Sequence, residues 1–117
     1  MPFCDVCNTT IEFSDGYVLN TKQVVGDEAY WKYMLENSPL DEELLAMYAQ
    51  QQAMQSSGWL LCESCSSMFS FDRSAAKSYA KRQSDPPGSG SVDASVAMAA
   101  AARAWRTKHG RFPSWVR

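Results

Sequence analysis

The spacing of apolar positions changes several times along the chain, and each change marks a predicted element. Thr10-Ile11-Glu12-Phe13 and Tyr17-Val18-Leu19-Asn20-Thr21 read as strands, and Ser14-Asp15-Gly16 between them has the chemistry of a tight reversal, so a β-hairpin is expected. Its second strand is expected to run on through Lys22-Gln23-Val24-Val25 to Gly26. Asp27 then caps a helix from Glu28 to Glu36, whose Tyr30, Trp31, Tyr33, Met34 and Leu35 are bulky on too many sides for a solvated helix and belong in a core. Ser38-Pro39-Leu40-Asp41 predicts a second helix, with Ser38 as cap and Pro39 at the first helical position, running to Ser56 and stopped by Gly58. Leu40, Leu44, Met47 and Met54, with Leu45 and Tyr48 alongside, form its apolar stripe, and Gln50, Gln51 and Gln52 its wet face. Such a stripe reads first as core and second as a groove for a partner.

Trp59-Leu60-Leu61 is a short apolar strand, and the stretch from Ser66 to Arg82 reads as helix, kinked between Phe71 and Arg73 where Asp72 can cap a second segment. Ser84-Asp85-Pro86-Pro87-Gly88-Ser89-Gly90-Ser91 has nothing to bury and reads as a linker. Beyond it Val92, Val96, Met98, Ala99 to Ala102 and Trp105 write a helix of high propensity that ends at Gly110, followed by a non-helical Arg111-Phe112-Pro113-Ser114-Trp115-Val116-Arg117. The predicted class is α+β: a domain over residues 1–83 with a helical insertion at 27–57, a flexible linker at 84–91 and a basic helical tail at 92–117.

Composition narrows the picture. With 117 residues, 45% of them hydrophobic, the chain can bury one modest core and is not of disordered composition. No apolar run approaches the roughly 20 residues of a membrane span, and Cys4 comes before any secretory h-region, so a soluble protein of the reducing cytoplasm is expected. The net charge of −2 hides a gradient: residues 1–57 hold nine acids and two bases, whereas residues 94–117 hold five bases and no acid. Two such ends attract each other within or between molecules, or the tail seeks an external polyanion.

The chemistry lies in two Cys-x-x-Cys pairs, Cys4-Asp5-Val6-Cys7 and Cys62-Glu63-Ser64-Cys65. A redox pair needs a buried strand before it and a helix opening at its first cysteine, which three preceding residues cannot give Cys4. Two pairs together point to a Cys₄ site for one structural Zn²⁺, with Cys4, Cys7, Cys62 and Cys65 as ligands. A redox or disulfide role and an iron or incidental thiol cluster remain as lesser alternatives. The layout, a knuckle at Cys4 and Cys7, a hairpin, and Cys62 and Cys65 at a helix start, resembles the treble-clef zinc-finger class over residues 3–25 and 59–82. That class usually has glycine after its second cysteine; here stands Asn8, the residue next best able to take a left-handed backbone. The 54 residues between the pairs are a long interval, which the central helices would fill. A zinc ribbon is the alternative fold.

Four thiolates fill a tetrahedral ion and leave no position for substrate. No nucleophile–base set or cleft carboxylate pair accompanies them: His109 sits near a helix end, and Asp27-Glu28 and Asp41-Glu42-Glu43 at helix starts. The expectation is therefore a non-enzymatic zinc protein acting through protein contacts as an adaptor or regulator. An accessory nucleic-acid role for the basic tail comes second and a thiol redox sensor third, with Arg73, Lys77, Lys81 and Arg82 reading as a solvated helix face. The partner-binding residues would be Arg103, Trp105, Arg106, Arg111, Phe112 and Trp115, an aromatic and arginine-bearing hook that packs loosely until it meets a protein partner or a second copy; the other reading is that Trp105, Phe112 and Trp115 fold back as extra core while Arg103, Arg106, Lys108 and Arg111 meet the acidic front.

Overall fold

A computed structural model describes residues 3–11, 15–55, 58–76 and 91–116. In chain order these form β1 (Tyr17–Leu19), α1 (Thr21–Val25), α2 (Glu28–Asn37), α3 (Glu42–Ala53), β2 (Trp59–Leu61), α4 (Glu63–Ser66), α5 (Arg73–Ala76) and α6 (Ala94–His109). The chain is thus mixed helix with one small two-stranded sheet.

β1 pairs antiparallel with β2, in the register Tyr17↔Leu61, Val18↔Leu60 and Leu19↔Trp59. The sequence-adjacent hairpin partner, Thr10 to Phe13, falls partly on residues 12–14, outside the described residues, and Thr10 itself bridges Phe3 instead. The expected continuation of the strand through Val25 is also replaced, because Asn20 and Gln23 form a capping box. The Asn20 side chain accepts from the Gln23 N–H at 2.8 Å and the Gln23 side chain from the Asn20 N–H at 2.9 Å, which starts α1 at Thr21. Val24 and Val25 then enter the core from a helix. Gly26 ends α1, where any Cβ would lie 2.5 Å from the Lys22 carbonyl oxygen and 3.3 Å from Val96 of α6.

Asp27 caps α2 as the sequence implies, accepting from the Ala29 N–H at 2.9 Å. Tyr30, Trp31 and Leu35 are buried, Tyr33 and Met34 half-buried. Trp31 donates its indole N–H to the Val25 carbonyl at 2.8 Å, and Tyr30 meets Trp31 and Trp59 edge to face at 4.9 and 5.6 Å. The buried Thr21 hydroxyl donates to the Gln55 carbonyl at 2.9 Å and accepts from the Trp59 indole at 3.3 Å, joining α1, the end of α3 and β2 through one satisfied polar group.

α3 departs from the expectation in two ways. Its cap is Asp41, which accepts from the Leu44 N–H at 2.8 Å, while Ser38 closes α2 by donating its N–H to Met34. Its buried face is Leu45, Ala49 and Ala53, and the bulkier stripe of Leu44, Met47, Tyr48 and Met54 faces outward. The cause is α6, whose Ala97, Ala100, Ala101 and Ala104 are buried against α2 and α3. Two faces of small side chains permit a close helix–helix approach that larger residues would prevent.

α6 runs antiparallel to α3: Val92 donates its N–H to the Ala53 carbonyl at 2.9 Å at one end, and Glu42 accepts from Ser114 at the other. Of the two expectations for the tail, the fold-back is the one seen: it shares the core of the described residues before it, because the inner faces of α2 and α3 have α6 as their cover. Gly110 stops α6 in the left-handed region at φ 77°, its N–H bonded to the Arg106 carbonyl. After Cys65 the chain makes only the single turn of α4; the break before Arg73 is present, with Asp72 accepting from the Ser74 N–H at 3.0 Å. Residues 77–82, the end of that expected helix, and 84–90 of the expected linker lie outside the described residues. No helix among the described residues is long and apolar enough to cross a membrane.

Because Ala101 is fully buried, Ala101→Leu should overpack the α6 seat and cost about 1–3 kcal/mol in urea unfolding. Removal of residues 91–117 should abolish the cooperative unfolding transition altogether.

Candidate metal centre

The first cysteine pair sits on a knuckle. Phe3 and Thr10 form an antiparallel bridge, Cys4 donates its N–H to the Thr9 carbonyl and Asn8 donates to the Cys4 carbonyl, both at 2.9 Å. The turn closes through Asn8 at φ 63°, the left-handed conformation that its side chain tolerates better than most. The Val6 N–H points at the Cys4 Sγ at 3.4 Å.

The second pair lies where β2 gives way to α4. Cys62 is the cap of that single turn: its Sγ accepts from the Cys65 N–H at 3.4 Å, and its carbonyl from the Ser66 N–H at 2.8 Å. Each pair therefore turns its sulfurs inward with a backbone amide aimed at one of them.

What joins the two pairs is Leu60. β1 occupies one edge of β2, and on the other edge the Leu60 N–H donates to the Asp5 carboxylate while its carbonyl accepts from the Asp5 N–H, each at 2.7 Å. Asp5 thus fastens the knuckle to the strand that delivers Cys62. Sequence reasoning gave Asp5 no role, although an aspartate between two ligands, where its side chain can mimic a strand's acceptor, was the available signal. Thr9 was also missed; its hydroxyl lies 3.0 Å from the Cys7 Sγ.

The outcome is that Cys4, Cys7, Cys62 and Cys65 converge, their Sγ atoms all within 4.8 Å of one another, with every cysteine a free thiol. Cys7 and Cys62 are 3.7 Å apart. Four sulfurs at about 2.3 Å from a tetrahedral ion are separated by about 3.8 Å, so this donor set fits a metal with little adjustment. Cys4 and Cys65 are buried and Cys7 and Cys62 half-buried. Burial pushes the Cys65 thiol well up, helped by hydrogen bonds and charge from the other three cysteines, and burial raises Cys4 too. Cys7 also loses water, but hydrogen bonds from the Thr9 hydroxyl and N–H and from Cys65 and Cys62 bring it down to about 6. Four sulfurs gathered in this way resist simultaneous ionisation, and a cation among them removes that resistance.

The six tail residues proposed as a partner hook are placed differently. Trp105 is buried, and its indole N–H finds no acceptor among the described residues. Arg103 pairs with Glu28 at 3.6 Å, Arg111 with Glu42 at 2.6 Å, and Trp115 donates its indole N–H to the Glu42 carbonyl at 2.9 Å. Arg106 lies over the Phe112 ring at 5.0 Å, and only Phe112 among the three aromatics stays exposed. The acidic front and basic tail therefore attract within the molecule, and the hook is a clamp. Glu42 is its hub, accepting also from the Ser114 hydroxyl and N–H. The charge gradient announced the attraction without showing which carboxylate would receive it. Lys108 donates to the Leu35 carbonyl at the end of α2 at 2.6 Å, and His109 stacks on Trp105 at 3.8 Å. Arg73 sits over Tyr17 and Phe71 at 5.1 and 5.0 Å; Lys77, Lys81 and Arg82 lie outside the described residues.

No known protein family, no characterised protein and no solved structure matches the chain.

Two measurements check this geometry. Asp5→Ala removes the acceptor for the Leu60 N–H and should cost about 1 kcal/mol of stability and on the order of tenfold in metal affinity, read by competition with a chelator. Asp5→Asn, which keeps an acceptor oxygen, should retain most of both. The Glu42 clamp should respond to acid. The Ser114 hydroxyl, Arg111 and the Ser114 N–H hold its carboxyl at about 2, below the ordinary 4.5, so it contributes stability above pH 4.5 that is lost as pH falls toward 2. The Trp115 indole resonance should shift across that window in the native chain and lose the shift in Glu42→Gln.

Proposed function

We propose that this chain is a small non-enzymatic module that a single Zn²⁺ holds in shape and that acts through protein contacts, as an adaptor or regulator. The observation that carries the reading is the convergence of four free cysteine sulfurs, from segments 54 residues apart, within 4.8 Å. Cys4, Cys7, Cys62 and Cys65 would hold the ion, which supplies a covalent-strength link between the knuckle and the β2–α4 corner. A set of four thiolates fills a tetrahedral ion, so this is a structural rather than a reactive site in the proposal. All-sulfur tetrahedral donors suit zinc or iron, and zinc is the choice here because no redox role is asked of the ion.

The treble-clef resemblance is supported by the left-handed Asn8, the Phe3↔Thr10 bridge and the placement of Cys62 and Cys65 at a helix start. It departs in the sheet, where β1 pairs with the strand before Cys62. The nucleic-acid reading has less support, since Arg103, Lys108 and Arg111 are engaged within the molecule. The redox-sensor reading rests on the half-buried Cys7 and Cys62 alone, with Cys4 and Cys65 buried.

The purified protein should carry about one zinc per chain by elemental analysis, and a chelator should remove its near-UV dichroism, as structural zinc in small modules is worth on the order of 10 kcal/mol. Serine at any of the four cysteine positions should do the same. Metal-free protein with an unchanged melting curve would overturn the structural-zinc reading. Binding to mixed-sequence oligonucleotides that weakens steeply with salt would favour the nucleic-acid reading instead.

A further inference from the structure

The four cysteines are not equally held. Cys4 and Cys65 are 0% and 6% exposed, whereas Cys7 and Cys62 are half-buried. Cys62 belongs to the body of the fold, because it joins β2 to α4, its Sγ accepts from the Cys65 N–H at 3.4 Å and its carbonyl from the Ser66 N–H at 2.8 Å. Cys7 lies on the knuckle, beside the left-handed Asn8, and there Thr9 serves both members of the pair. The Thr9 carbonyl accepts from the Cys4 N–H at 2.9 Å, and its hydroxyl lies 3.0 Å from the Cys7 Sγ.

The chemistry of a loaded site fixes the direction of that last bond. A free thiol can donate to the hydroxyl, but a metal-bound thiolate has no proton, so with an ion in place the Thr9 O–H is the donor and the Cys7 sulfur the acceptor. Such a bond is charge-assisted, and it orients the ligand and tempers its electron donation. The donors shown for Cys4 and Cys62 are the Val6 and Cys65 N–H groups, which belong to the backbone, whereas the hydroxyl on Cys7 is an exposed side chain.

We infer that Thr9 is a positioning residue for the metal centre and that Cys7 is the ligand at which the loaded centre opens, the Thr9 hydroxyl setting how fast the chain yields its metal to an incoming thiolate or chelator. This deepens the structural-zinc reading, on which it rests. Opening transfers no electron: Cys7 leaves with the electron pair of its metal bond and takes a proton from water, and the incoming donor supplies the pair that replaces it. Cys4 stays buried and bound on the same knuckle, so the segment is retained and the site can close again. Departure of Cys62 would instead disturb the start of α4, where its sulfur caps the turn.

Zinc transfer from the loaded full chain to a chromophoric chelator tests this in the native chain, Thr9→Val and Thr9→Ser. Valine keeps the shape and removes the donor; serine keeps the donor. Thr9→Val should release zinc about tenfold faster with an unchanged melting curve, and Thr9→Ser at about the native rate. With Co²⁺ in place of zinc, the sulfur-to-metal charge-transfer band should move to lower energy in Thr9→Val, since a sulfur without its hydrogen bond holds its electrons less tightly; a merely structural role would leave the band in place. In the loaded native chain, iodoacetamide should alkylate Cys7 first, the sulfur displacing iodide, as peptide masses would show. Native-rate release or an unmoved band in Thr9→Val, a Thr9→Ser chain as fast as Thr9→Val, or first alkylation at Cys4, Cys62 or Cys65 would each overturn the inference and leave the zinc reading standing. A native chain that takes up no zinc would overturn both.

Discussion

The contact on which the rest of this structure depends is the close approach of an alanine-lined α6 to α2 and α3. Ala97, Ala100, Ala101 and Ala104 contribute little apolar area each, so their burial is favourable mainly because it lets backbones approach and larger neighbours close around the edges. Trp31, Leu35, Leu45 and Trp105 are those neighbours. Substituting longer side chains on α6 would separate the helices and expose them. The constraint reaches as far as Gly26, where a Cβ, already 2.5 Å from the Lys22 carbonyl oxygen, would also crowd Val96 of α6 at 3.3 Å.

This helical body also orders the corner that carries the cysteines. Thr21 ties β2 to α1 and to the end of α3 through Trp59 and Gln55, and Leu60 then offers its outer edge to Asp5. Among the described residues the knuckle is attached to the body through two hydrogen bonds at Leu60, the packing of Cys4, Val6 and Ile11, and the sulfur cluster. A metal link across so sparse a junction gains more than one across an already extensive interface, since it restrains a segment that little else holds. That is what a metal held by the four cysteines would add at this corner.

Local chemistry was legible in the sequence and non-local pairing was not. Each Cys-x-x-Cys pair, the Asp27 and Asp72 caps, the left-handed Asn8 and the stop at Gly110 depend on residues within a few positions of one another. The partner of β1 lies 40 to 44 positions away and competes with a turn signal at Ser14-Asp15-Gly16, so the nearer strand was the natural choice. At Asn20 two local signals disagreed: Val24 and Val25 favour a strand, but the reciprocal bonds of Asn20 and Gln23 start a helix that still buries both valines. The tail's placement was left between two readings for a related reason. Its linker-like approach and its cations suggested an independent arm, whereas the decisive feature was the smallness of its alanines, which has meaning only beside the equally small Ala49 and Ala53.

The outward stripe of α3 follows from the same choice. A helix with an alanine face and a methionine and leucine face can bury only one of them against a given neighbour, and hydrophobicity alone selects the bulkier. α6 selects the other, because an alanine surface fits an alanine surface and would leave voids against Leu44, Met47 and Met54. The larger apolar face then stays outside, where charges would ordinarily make it soluble, and from Leu44 to Met54 there are none. Thus the packing rule that draws the tail into the core also leaves an uncharged apolar strip on the surface.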